Sequence, residues 1–302
     1  MSLNKKLINI ASKFLLKNGF YEFDFNFSHE ATELIKFIIK RKYLASHTYH
    51  NKELKPLPMK DLANEYFMAL PHDNNILRCP NLLGIMNDKR IIRIVEDYLG
   101  SECVISGWNI WWSNPKKNPS NLTQKFHRDP PIYDVKNVAV FIYLTDVKNK
   151  DDGPHVYIKK SHKKNIFIKE ILIKQLFRIH QYLIRPKKCI KDLRAFVQGT
   201  YSHDGNEYPI NKYINQYYKK KNIKFFFGMA GSIFMTIPCG LHMGEVPIEK
   251  SRCMMTIRYA CKNKLRYRNE EYNTYRDKIY KILRKKVNNI FIRRNINVLK
   301  DI

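Results

Sequence analysis

Two short stretches, far apart in the chain, constrain what it can fold into. The first is Phe126-His127-Arg128-Asp129. In an extended chain residues i and i+2 point to the same face, so this stretch sets an imidazole and a carboxylate side by side. About one His-x-Asp/Glu is expected by chance in a sequence of this make-up, so the pair carries weight only if partners appear downstream. The second stretch, Gly240-Leu241-His242-Met243-Gly244, supplies one. It follows the apolar run Ser232 to Ile237 and puts a histidine at a strand end. Two imidazoles and a carboxylate drawn from two strands make a facial triad, the set that holds a non-haem iron and leaves half of its sphere open.

Arg252 lies ten residues after His242 on the next apolar segment, Ser251 to Tyr259. A metal-binding histidine followed by a strand-borne arginine is the arrangement needed for a dicarboxylate, with the guanidinium forked onto its far end. Arg258 shares the strand face of Arg252 by parity and is read as structural. His155, His162, His180 and His203 are rivals of His242 as third ligand. Only His242 combines glycine neighbours, an apolar strand before it and the arginine after it. Gln124, three residues before His127, is a candidate hydrogen-bond donor to such a ligand. Phe141, on an apolar strand, is read as core.

Together these segments resemble the phytanoyl-CoA dioxygenase family of Fe(II)/2-oxoglutarate oxygenases. The resemblance runs from about Cys103 to Ala260 and takes in the apolar run Val138 to Leu144. It also includes the turn Asp151-Asp152-Gly153-Pro154 leading to Ser161-His162-Lys163. It implies a mainly β fold with flanking helices around a double-stranded β-helix, a jelly-roll of the cupin type. It further implies Fe(II) held by His127, Asp129 and His242, 2-oxoglutarate anchored by Arg252, and O2 as oxidant. The reaction implied is hydroxylation of a C–H bond in a small organic substrate, with release of succinate and CO2. The sequence departs from the family at Arg128, where many members carry Gln. Lys159-Lys160 replaces Pro-Gly, and Gly244 replaces a small hydroxyl residue.

The chain is read as one oxygenase domain. Residues 1–102 form a helical flank, with helices over 3–16, from Ser28 as N-cap to about 42, over 59–69, and over 89–99 stopped by Gly100. Residues 103–162 and 225–261 form the core. Within it, Cys103 to Ser113, Gln124 to Asp129, Val138 to Leu144 and His155 to Ile158 read as strands. Residues 163–224 form a basic insertion, fifteen Lys/Arg against four Asp/Glu, placed between the halves of the metal site as a candidate lid. Residues 262–302 form a basic helical tail.

The formal net charge of +28 suggests a polyanionic partner or an anionic, carrier-linked substrate. The alternative it raises is a nucleic-acid- or anionic-surface-binding protein with a vestigial barrel. No RNA- or DNA-reading motif accompanies the charge, and Lys, Asn and Ile are abundant throughout, which points to composition. Six cysteines without Cys-x-x-Cys spacing give no zinc knuckle or disulfide framework, as in a reducing cytoplasm. No apolar stretch is long enough for a signal peptide or a membrane span.

Overall fold

The computed structural model describes residues 5–45, 56–62, 67–70, 79–115, 124, 126–129, 136–163 and 220–261. The insertion from 164 to 219, with His180 and His203, and the tail from 262 lie outside the described residues.

Helix α1 (Lys5–Asn18) leads into strand β1 (Phe20–Asn26), helix α2 (Ser28–Ile38) and strands β2 (Lys42–Ala45), β3 (Leu57–Pro58) and β4 (Phe67–Ala69). Helices α3 (Pro80–Met86) and α4 (Lys89–Leu99) follow, then β5 (Cys103–Ser113), β6 (Asn137–Tyr143) and β7 (His155–Ile158). The described residues end with β8 (Ile223–Phe226), β9 (Ser232–Thr236), β10 (His242–Gly244) and β11 (Arg252–Cys261). Eight strands form one sheet in the order β1-β9-β6-β11-β5-β4-β2-β3, and β10-β7-β8 form a second. All the paired strands are antiparallel.

Alternation along the strands divides the large sheet into two faces. Val138, Val140, Ile142, Cys253, Met255, Ile257 and Tyr259 join one core cluster with the buried sides of the four helices. Ala139, Phe141, Tyr143, Phe234 and Met254 face the other way and pack with Tyr157 and Phe226 of the small sheet. The run Val138 to Leu144 is apolar throughout because it is buried on both faces. Between the sheets lies the inner space of the jelly roll, whose walls are aromatic.

The flank holds more strand than its sequence suggests. The expected helix over 59–69 is instead a 3-10 turn at Met59–Leu62, and Phe67–Ala69 is strand β4, paired with Ser113 to Trp111 of β5. The exposed edge of β5 offers backbone partners that a three-residue apolar segment takes up, overriding local helical spacing. Ser28 is not an N-cap: Phe27 holds that position, and the single Ser28 hydroxyl proton is shared between the Ala230 carbonyl (3.1 Å) and Asn26 Oδ1 (3.0 Å). Helix α4 has an N-cap in Asp88, whose carboxylate accepts from the Arg90 and Ile91 amides, and ends as expected at Gly100 in the left-handed region. Of the described residues in the expected ligand strand, Gln124 and 126–129, none lies in a regular strand, and among them only His127 makes a β-bridge.

Candidate metal centre

That bridge builds the site. The His127 amide donates to the His242 carbonyl (2.9 Å), and the His242 amide returns the bond to the His127 carbonyl (3.0 Å). Residues that exchange both bonds lie directly opposite and project to the same face, so two histidines remote in sequence become neighbours. Their ring centroids are 4.3 Å apart. The Asp129 amide donates to the Pro238 carbonyl (3.1 Å), continuing the contact and bringing its carboxylate round to both imidazoles. His127 Nε2 is 3.7 Å from Asp129 Oδ1, and His242 Nε2 is 3.7 Å from Oδ2. One donor atom from each of the three residues lies within 4.8 Å of the others.

Several contacts hold this geometry. His242 Nδ1 lies 2.9 Å from the Gly240 carbonyl, which can only accept, so that nitrogen carries the proton and Nε2 presents its lone pair. The fully buried Ser161 accepts from the Leu241 amide (2.7 Å) and donates to the Ile158 carbonyl (2.6 Å), clipping the histidine's loop to the end of β7. Arg128 points away from its flanking ligands and donates to the carbonyls of Ser161 and Cys239, both at 2.6 Å. Arg128 thus ties the His-x-Asp segment to the loops behind it. Gly240 is required by close approach: a Cβ there would fall inside the Tyr157 hydroxyl, which donates to the Ile237 carbonyl.

Burial by itself would raise the Asp129 carboxyl, but Arg258, His242 and His127 outweigh it and hold the group well below the ordinary carboxylate range. Burial, with His127 beside it, pushes His242 down to about 4. The aspartate is therefore ionised and His242 neutral at physiological pH, the protonation states a metal requires of such ligands. The donor set, two imidazole nitrogens and a carboxylate oxygen on one side of a space, fits a ferrous ion with open positions.

Both arginines of β11 face this interior. Arg258 donates to Asp129 Oδ2 in a charge-assisted pair. In the sequence the signal for this contact is the parity of Arg258 with Arg252. Arg252 is buried, and its guanidinium donates to the Gly153 carbonyl and to Ser113 Oγ (2.8 Å). Its Nε has no hydrogen-bond partner, and among the described residues no carboxylate pairs with it. Burial pushes its pKa down. A buried cation without a counter-ion is costly, and an anionic ligand would supply what the protein leaves out.

The rival histidines separate by position. His162 Nε2 lies 3.0 Å from the Leu16 carbonyl, outside the triad. His155 stands on the inner wall, its ring 5.6 Å from that of His242, but its nitrogens are not in the three-donor group. Gln124 is half-buried with Oε1 lacking a hydrogen-bond partner. Phe141 stacks on Phe234 in the core, as read.

No protein-family model matches the chain, and no curated protein sequence matches it. Solved structures do. HygX from Streptomyces hygroscopicus, with nickel, 2-oxoglutarate and hygromycin B bound, aligns over 88% of this chain and 90% of its own, at TM-score 0.54 and 10% identity. The non-heme alpha ketoglutarate dependent epimerase SnoN from nogalamycin biosynthesis aligns over 86% and 85%, at TM-score 0.53 and 10% identity. EctD from S. alaskensis, with 2-oxoglutarate and 5-hydroxyectoine, aligns over 87% and 77%, at TM-score 0.50 and 10% identity. Likeness at such identities is one of fold, and the fold is the jelly roll expected from the sequence.

Proposed function

We propose that this chain is a non-haem Fe(II)- and 2-oxoglutarate-dependent oxygenase that hydroxylates a C–H bond of a small organic substrate. The observation that carries this reading is the convergence of His127, Asp129 and His242 from two remote stretches onto one point. Similarity of fold to proteins whose structures hold 2-oxoglutarate supports it. So does a buried guanidinium, Arg252, on the same inner wall, which no carboxylate among the described residues balances.

In this reading His127 and His242 hold the iron through Nε2 and Asp129 through a carboxylate oxygen. Arg252 seats the distal carboxylate of 2-oxoglutarate, and Gln124 is assigned as a further donor to it. Bound together, iron, 2-oxoglutarate and O2 supply the oxidant for the C–H bond, with succinate and CO2 as coproducts. Arg258 fixes the rotamer of Asp129 and keeps it ionised. Phe141, Phe234 and Met254 keep bulk water from the wall behind the site. The five cysteines among the described residues are free thiols, and no helix there is long and apolar enough to cross a membrane.

The test is Fe(II)-dependent conversion of 2-oxoglutarate to succinate by the full chain, assayed with cell extract as the substrate source. Substrates gain the mass of one oxygen, and His127→Ala and Asp129→Ala abolish the turnover. A wild-type chain that binds no Fe(II) would refute the proposal.

A further inference from the structure

The inner wall carries an imidazole that the proposed reaction leaves without a task. His155 opens β7 and is 3% exposed, yet its Nε2 is buried with no hydrogen-bond partner. An unmet polar atom in an apolar wall is a standing cost unless a ligand meets it. Its backbone is fixed, because the His155 amide donates to the Tyr143 hydroxyl (2.9 Å), which donates to the Phe226 carbonyl (2.9 Å). Its ring is fixed as well, 4.5 Å from Phe141, 5.4 Å from Phe234 and 5.8 Å from Phe226 between centroids. The structure has oriented this side chain without using it.

The register shows where it stands. His155 pairs with Gly244, two residues after the triad histidine, on the facing strand β10. A Cβ at position 244 would lie 3.2 Å from the Arg252 guanidinium. His155, Gly244 and Arg252 therefore stand side by side on the inner wall, and the His155 ring is 5.6 Å from that of His242. Burial, with the Arg252 guanidinium nearby, keeps His155 neutral, so it offers one N–H and one lone pair. Position 244 offers no side chain at all.

We infer that His155 is a cosubstrate-binding residue, donating Nε2–H to the dicarboxylate that Arg252 anchors and taking the place of a hydroxyl that Gly244 lacks. The inference rests on the function proposed above. The absent side chain at 244 leaves room for the Arg252 guanidinium, and the His155 ring on the paired strand supplies the hydrogen bond.

Anaerobic titration of the Fe(II)-loaded full chain tests it, read by the visible charge-transfer absorption that a 2-oxo acid produces on chelating ferrous iron. Two ligands are compared: 2-oxoglutarate and 2-oxopentanoate, which has a methyl group in place of the distal carboxylate. His155→Phe weakens 2-oxoglutarate by about tenfold or more, the loss of one hydrogen bond to a charged group, and leaves 2-oxopentanoate unchanged. His155→Gln, which keeps a donor, stays near wild type, and Gly244→Ser added to His155→Phe recovers part of the loss. Equal weakening of both acids, or of neither, would overturn the role of His155 alone. Absence of the absorption in the wild type with either acid would overturn the reading of the whole site.

Discussion

Replacing Arg252 by methionine tests whether its charge serves a ligand or the fold. The guanidinium is buried, its Nε is unpartnered, and no carboxylate among the described residues balances it. Carrying such a charge into the interior costs several kcal/mol. Against that stand two hydrogen bonds from a charged donor, to the Gly153 carbonyl and to Ser113 Oγ, worth roughly 1.5–3 kcal/mol each. Methionine fills similar space, escapes the first term and forfeits the second. The two are of similar size, so the unliganded variant should lie within about 2 kcal/mol of wild type. The liganded proteins separate. At a 2-oxoglutarate concentration about 100 times Kd, wild type gains about 2.7 kcal/mol, and Arg252→Met gains none. Urea unfolding of the Ni(II)-loaded proteins, with and without 2-oxoglutarate, measures both differences. A loss above about 4 kcal/mol without ligand would make Arg252 a structural clamp. An undiminished ligand-induced gain would remove it from the cosubstrate site.

Other expectations follow from contacts around the triad. Gly240→Ala drives a methyl group into Tyr157 and breaks its bond to the Ile237 carbonyl, so it should lower stability by about 2–4 kcal/mol and weaken metal binding, both readable by unfolding with and without Ni(II). Ser161→Ala unpins the Leu241 amide, at about 1–3 kcal/mol in urea unfolding. The displaced His242 should show as a metal affinity lowered about 10-fold in calorimetry. Asp88→Ala removes the N-cap of α4, far from the site, and should cost about 1 kcal/mol in stability while leaving metal affinity unchanged.

The chemistry of the site was legible because it resides in residue types whose spacing carries geometric meaning. His127 and Asp129 share a face in any extended segment, and parity alone puts Arg252 and Arg258 on one side of β11. Helices α1 and α4 followed from local periodicity, and Gly100 ended the second as glycine does. The run Val138 to Leu144 announced burial on both faces before either face was known.

Only the tertiary structure could decide what lies across from what. Nothing local says that His127 bridges to His242, that Arg258 rather than Arg252 reaches Asp129, or that Gly244 stands opposite His155. It also made a strand of Phe67–Ala69, since the free edge of β5 outweighed that segment's own preference. A residue's type and its nearest neighbours fix which atoms it can offer. Backbone pairing between segments distant in sequence fixes the partner those atoms meet, and that pairing depends on the whole sheet.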